Sequence, residues 1–192
     1  MAERAYFDWN ATTPLREDVR AAMVEALGPA SNASSVHSEG RGARKLIEDA
    51  RAQVAAMVGA EARYVTFTSG ATEANTLALN GFPDYDRLFI SAVEHPAVKA
   101  GGNFPADAIE EIPVDGNGII DLAALKAALT RAKRPLVSVM LVNNETGVIQ
   151  PIADVADIVH AANGVLQSIL PKACTASTCS TPFAKSTATS AR

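Results

Sequence analysis

Apolar residues recur every four positions at Leu15, Val19, Met23 and Leu27, until Gly28-Pro29 interrupts them. That spacing lines one helix face, with Thr13 as its cap, Pro14 as its first residue and Glu17 and Asp18 in its first turn. After a polar loop, SNASSVHSEGRG, residues Leu46, Ile47, Ala50, Val54, Met57 and Val58 predict a second, longer helix that stops at Gly59. The period then shortens. YVTFT, RLFIS, IEEIPV and LVSVMLV read as strands, separated by helical or turn-rich stretches, notably 121–131 and the DGNG turn. Ile152, Val155, Ile158 and Val159 place one more helix over 151–162, ended by Asn163-Gly164. Alternation of this kind predicts an α/β fold, a mainly parallel sheet with flanking helices.

From Val165 the pattern is lost. Residues 165–192 are rich in Ser, Thr and Ala, contain no Asp or Glu, and show neither a helical nor a strand period, so they are expected to form a disordered tail where an α/β chain should enter another strand.

Composition adds exclusions. The 192 residues are 48% hydrophobic and 20% charged with a net charge of −4, which suits one or two globular domains. No dense Lys/Arg stripe marks a nucleic-acid or anionic-membrane surface, and neither a signal pattern nor a membrane-length apolar run is present, so a cytoplasmic location is expected. Cys174 and Cys179 lack metal or redox spacing.

One corner carries candidate chemistry. Residues 65–75, VTFTSGATEAN, turn from a β-type run into a helix through Ser69-Gly70-Ala71. The first N–H groups of such a helix lack intrahelical acceptors, and the helix dipole favours an anion beside them. Gly70 admits close approach, and Thr68, Ser69 and Thr72 bring hydroxyls able to complete a phosphate's hydrogen bonds. The same residues also suit a plain capped helix start. His95, in AVEHPAV, can stack on a flat cofactor and move protons, or cap a helix at the surface. Asn143 and Asn144, in NNETG, can bond a polar ring substituent or shape a turn. Residues 32–37 read as linker and His160 as a surface or edge residue.

In chain order, FDWNATTP, NASSVHSEG, VTFTSGATEAN, VEHPAV, GNGIIDL and VSVMLVNNETGVIQPI resemble the amino-terminal half of the pyridoxal-phosphate-dependent cysteine desulfurases, class V aminotransferase-like enzymes of fold type I. The likeness spans about 6–164, with Ala33 where the family usually has proline. It implies that 1–14 is an arm belonging to the small domain in relatives, 15–164 the first half of the cofactor-binding large domain, and 165–192 an atypical tail. It further implies pyridoxal phosphate as cofactor: Ala71 and Thr72 at its phosphate, His95 stacked on its ring as the catalytic proton-transfer residue, and Asn144 bonded to its phenolic oxygen. No metal is implied. The intact relative would be a homodimer that takes sulfur from L-cysteine, leaves alanine, and passes an enzyme persulfide to a sulfur-acceptor or scaffold protein for iron–sulfur cluster or thio-cofactor assembly, with no nucleic-acid or membrane partner. The alternatives are a selenocysteine lyase, another class V aminotransferase relative, or a non-catalytic phosphate-binding or interaction module.

The family pattern continues with a strand ending in Val-Asp, a nearby Gln, a Ser-x-His-Lys segment and a loop cysteine. None of these occurs in the 192 residues, and neither Lys172 nor Cys174 stands in a matching segment. The expectation is a truncated, inactive form with weak or absent cofactor binding. Were 166–169 encoded TTG-CAG-TCG-ATC, reading one frame later would give Ala-Val-Asp, so a frame change near Val165 or Leu166 is an expected source of the tail.

Overall fold

The computed structural model describes residues 5–7, 12–28, 31–80 and 84–169, and its contacts divide the chain into two compact units at Phe67. In the first unit, α1 (Glu17–Leu27) and α2 (Ser38–Val58) are the two expected helices. α1 starts later than its pattern suggests: Arg16, not Thr13, stands at the N-cap and gives no side-chain cap. Its first turn is held instead by exposed pairs, Arg16 to Asp18 at 2.7 Å and Arg20 to Glu17 at 2.5 Å, each of a kind that contributes about 0–1 kcal/mol. Both helices stop at the expected glycines, and Gly59 caps α2 in the left-handed region (φ 69°), where a Cβ is strained.

α2 begins early because the His37 ring accepts the Gly40 N–H at 3.3 Å. The preceding loop is a built turn rather than a linker, with Asn32 accepting the Ser34 N–H on its side chain and the Ser35 N–H on its carbonyl, both at 2.9 Å. Gly40 is buried against it: a Cβ there would lie 2.7 Å from the Ser35 Cβ and 2.8 Å from the Asn32 carbonyl. Gly40→Ala is therefore expected to lower the stability of the first unit by about 1–3 kcal/mol, read as an earlier loss of helical circular dichroism in urea.

YVTFT is not a strand. Residues 62–64 form a single tight 3-10 turn, and 65–68 run on with no ladder partner among the described residues. The Arg51 guanidinium takes the Val65 carbonyl and stands 5.2 Å from the centre of the Phe67 ring. β-type composition makes a strand only where a neighbouring edge receives its N–H and C=O groups.

The second unit runs α3 (Ala71–Asn80), β1 (Arg87–Ser91), α4 (Pro96–Lys99), β2 (Ile109–Ile112), α5 (Leu122–Leu129), β3 (Pro135–Ser138), α6 (Ile152–Ala161) and β4 (Val165–Gln167). Every ladder is parallel, in the spatial order β2-β1-β3-β4, with Leu88 opposite both Ile109 and Leu136, and Leu136 opposite Val165. Phe89 and Val137 pack with Leu125, Leu129, Val155 and Val159 on the α5/α6 side, while Leu88, Ile90 and Leu136 pack with Leu79 and Val98 on the α3/α4 side. Burial on both faces accounts for strands that are apolar at successive positions. The expected parallel sheet with flanking helices is the observed architecture.

The expected boundary at Val165 is corrected by β4, which begins there and pairs with β3. Gly164 makes this pairing feasible: a Cβ would lie 2.8 Å from the Pro135 carbonyl and 3.0 Å from a Val159 methyl, so a larger residue would hold β4 off the sheet. The Ile169 carbonyl still accepts the Leu141 N–H at 2.9 Å. The tail reading of 170–192, Lys172 and Cys174 included, lies outside the described residues, as does most of the 1–14 arm. No helix among the described residues is long and apolar enough to cross a membrane.

Candidate functional site

Parallel strands present their following loops at one edge of a sheet, and helices that run back begin there. α3 is placed by Asn75, whose side-chain oxygen accepts from Gln167 at the end of β4 (3.1 Å). Ala71 and Thr72 lie about one turn nearer its start, a rise of about 5.4 Å, and are exposed. Their N–H groups have no protein acceptor among the described residues. Ser69 donates its N–H and its hydroxyl to one Glu73 oxygen, at 2.7 and 2.6 Å, which holds the Glu73 carboxyl below the usual carboxylate range. Thr68 donates to the Gly70 carbonyl at 3.1 Å, and a Cβ on Gly70 would meet nothing within 4 Å. Ser69 and Thr68 act here as donors, so the corner is held by the Glu73 carboxylate and leaves two N–H donors without an acceptor among the described residues, with open space at Gly70.

The loop after β1 carries His95 at the N-cap of α4. Its Nδ1 accepts the Ala97 N–H at 3.1 Å, which in the neutral ring assigns the proton to Nε2. The ring is exposed. Beside it stands a residue that sequence reasoning missed. Glu94 is 5% exposed; one carboxyl oxygen accepts the His95 N–H at 3.3 Å and the other accepts the Met140 N–H from the loop after β3. Burial pushes its pKa up, against the pull of these bonds and of Lys99.

In the loop after β3 the two asparagines divide their roles. Asn143, 8% exposed, accepts the Glu145 and Thr146 N–H groups at 2.9 Å and donates to the Val93 carbonyl at 3.1 Å, so it shapes the turn and reaches the loop after β1. Asn144 follows it, exposed. Gln150 pins the same region to the GNG turn, accepting the Ile120 N–H at 2.9 Å and donating to the Gly118 carbonyl at 2.7 Å. Buried side-chain oxygens of Ser138, Gln167 and Ser168, at the ends of β3 and β4, have no hydrogen-bond partner among the described residues. The structure thus brings His95 and the Asn143-Asn144 turn onto two linked loops, and starts α3 with Ala71 and Thr72 at the same edge.

Residues 5–169 match the family model described as Aminotransferase class-V. A cysteine desulfurase of Cereibacter sphaeroides is 38% identical over 176 residues, 86% of this chain and 45% of the relative. A putative cysteine desulfurase IscS 1 of Bacillus subtilis is 40% identical over 168 residues, 81% of this chain and 43% of the relative. The solved NifS-like protein of Rickettsia africae superposes with a TM-score of 0.77 at 36% identity, over 83% of this chain and 45% of that one. The chain spans less than half the length of the curated relatives it matches. By its sheet, its edge loops and a match that runs through β4, the chain belongs to the class-V aminotransferase family.

Proposed function

We propose that this chain is the phosphate- and ring-binding half of a pyridoxal-phosphate-dependent cysteine desulfurase. The supporting observation is that Ala71, Thr72, His95 and Asn144 stand at one carboxyl edge of a parallel sheet, in a chain whose relatives bear that name. In this reading the N–H groups of Ala71 and Thr72 and the Thr72 hydroxyl hold the phosphate. Two N–H donors without an acceptor among the described residues, next to open space at Gly70, fit such an anion. The His95 ring covers the cofactor face and handles its proton at Nε2, since Nδ1 is committed to the Ala97 cap. Asn144 bonds the phenolic oxygen. The bound cofactor would supply an electron-withdrawing ring that accepts charge as bonds to the amino-acid substrate break.

The whole-protein activity proposed is sulfur removal from L-cysteine by a cytoplasmic homodimer, for a sulfur acceptor or scaffold in iron–sulfur cluster assembly. The 192 residues contain no Ser-x-His-Lys segment, so for this chain we infer non-covalent binding without turnover. Pyridoxal phosphate titrated into the purified chain should show weak, saturable binding. Borohydride reduction followed by mass spectrometry should find no single modified lysine, and L-cysteine should yield no sulfide. Stoichiometric labelling of one lysine with cysteine-dependent sulfide release would overturn the inference of inactivity, and a lack of saturable binding would overturn the site.

A further inference from the structure

Two loops at the carboxyl edge, 92–95 after β1 and 139–146 after β3, are joined by side chains. The β1–β3 ladder ends at Ile90 opposite Ser138. Beyond it, Glu94 reaches from the first loop to the Met140 N–H of the second, and Asn143 reaches back from the second to the Val93 carbonyl of the first, at 3.1 Å. Each also holds its own loop: Glu94 through the His95 N–H, Asn143 through the N–H groups of Glu145 and Thr146. Both side chains belong to residues more than nine-tenths buried, whereas His95 and Asn144, their neighbours in the chain, are exposed. We propose that Glu94 and Asn143 form a reciprocal clamp that positions His95 and Asn144 for a flat, phosphorylated aromatic cofactor. The inference rests on the cofactor reading above and adds to it two positioning residues that act through their neighbours.

Glu94 is held at an electrostatic cost, because burial disfavours its charged form more than its hydrogen bonds and Lys99 favour it. Lys99, on α4, is itself paired to Glu111 of β2 at 3.5 Å, and the other titratable groups on the two loops are the exposed His95 and Glu145. A carboxyl whose folded-state pKa is raised contributes stability that is full below its ordinary value of 4.5 and is lost as pH rises through the folded value. At neutral pH, Glu94→Gln removes that electrostatic penalty. Its amide keeps one acceptor oxygen but places an NH2 against one of the two N–H groups, so the clamp loosens.

The test uses the 192-residue chain with Glu94→Gln, Asn143→Ala and the double variant, pyridoxal phosphate as the probe, and amide hydrogen exchange at Met140. Each single variant should weaken binding about three- to tenfold, the worth of one or two net hydrogen bonds. The double variant should lose less than the product, because either break frees the same pair of loops. Weaker pyridoxal phosphate binding with unchanged inorganic phosphate binding in Glu94→Gln marks geometry at the two loops; a purely structural role would weaken both. If the wild type binds and neither variant changes its affinity, the clamp is overturned and the cofactor reading stands. If the wild type does not bind, the cofactor reading falls, and exchange decides the link between the loops. Asn143→Ala leaves the acceptor of the Met140 N–H in place, so faster Met140 exchange in that variant supports the clamp and unchanged exchange overturns it. Should Asn143→Ala fail to fold, Glu94→Gln decides by its affinity and by exchange at Glu145 and Thr146, whose acceptor Asn143 it leaves in place: faster exchange there supports the clamp and unchanged exchange overturns it.

Discussion

Phe89→Ala is expected to lower the stability of the second unit by about 3–5 kcal/mol. Phe89 is fully buried on β1, a strand paired on both sides, and its ring lies beside Val137 in the layer beneath the helices α5 and α6. Truncation removes the transfer free energy of the ring and leaves a cavity that strands hydrogen-bonded on both edges cannot collapse to fill. A domain of this size is stable by about 5–15 kcal/mol, so the variant should stand near the limit of folding. Phe89→Leu, which keeps most of the volume, should lose under about 1.5 kcal/mol. Denaturant midpoints at unchanged slope measure both, and a Phe89→Ala loss below about 1 kcal/mol would mean that this layer is not the cooperative core.

Thr72→Asp is expected to weaken pyridoxal phosphate binding by about ten- to a hundredfold. Thr72 is the second residue of α3, and a carboxylate there would face the phosphate that its own N–H is proposed to hold. Two unit charges about 4 Å apart repel by about 4 kcal/mol near a protein surface and by about 1 kcal/mol in bulk water, and this exposed corner lies between those limits. The same substitution favours the helix, since an acidic residue in a first turn gains about 0.3–1 kcal/mol from the dipole. Affinity and stability should therefore part, one falling while the other holds or rises. Inorganic phosphate should compete with pyridoxal phosphate in the wild type and lose that effect in the variant. Unchanged affinity, with binding clearly present, would place the phosphate elsewhere.

Helix ends were the most legible feature of the chain. Gly28 and Gly59 end α1 and α2, and Asp121 caps α5 by accepting the Ala123 and Ala124 N–H groups at 2.9 Å. A helix closes its hydrogen bonds within four residues, so the signals that start and stop it lie in the neighbouring sequence. The order of strands and helices was legible for the same kind of reason, because side-chain period reports which faces are buried. Strand identity at the margins was not. YVTFT has the stronger β composition yet pairs with nothing among the described residues, while Val165–Gln167, embedded in a segment without period, joins β3 because Gly164 lets it approach. For the site, residue types pointed to the α3 corner, His95 and the asparagine pair. They did not separate Asn143 from Asn144, nor single out Glu94. Those distinctions depend on a loop 46 residues away bringing the Met140 N–H to a buried carboxylate, and on Val93 lying 50 residues from Asn143. Local spacing determined the helices, the α/β alternation and the candidate corner; the parallel pairing of β1 with β3 decided which polar side chains are buried as clamps and which are left exposed, because a polar group's role depends on partners that only the sheet brings within reach.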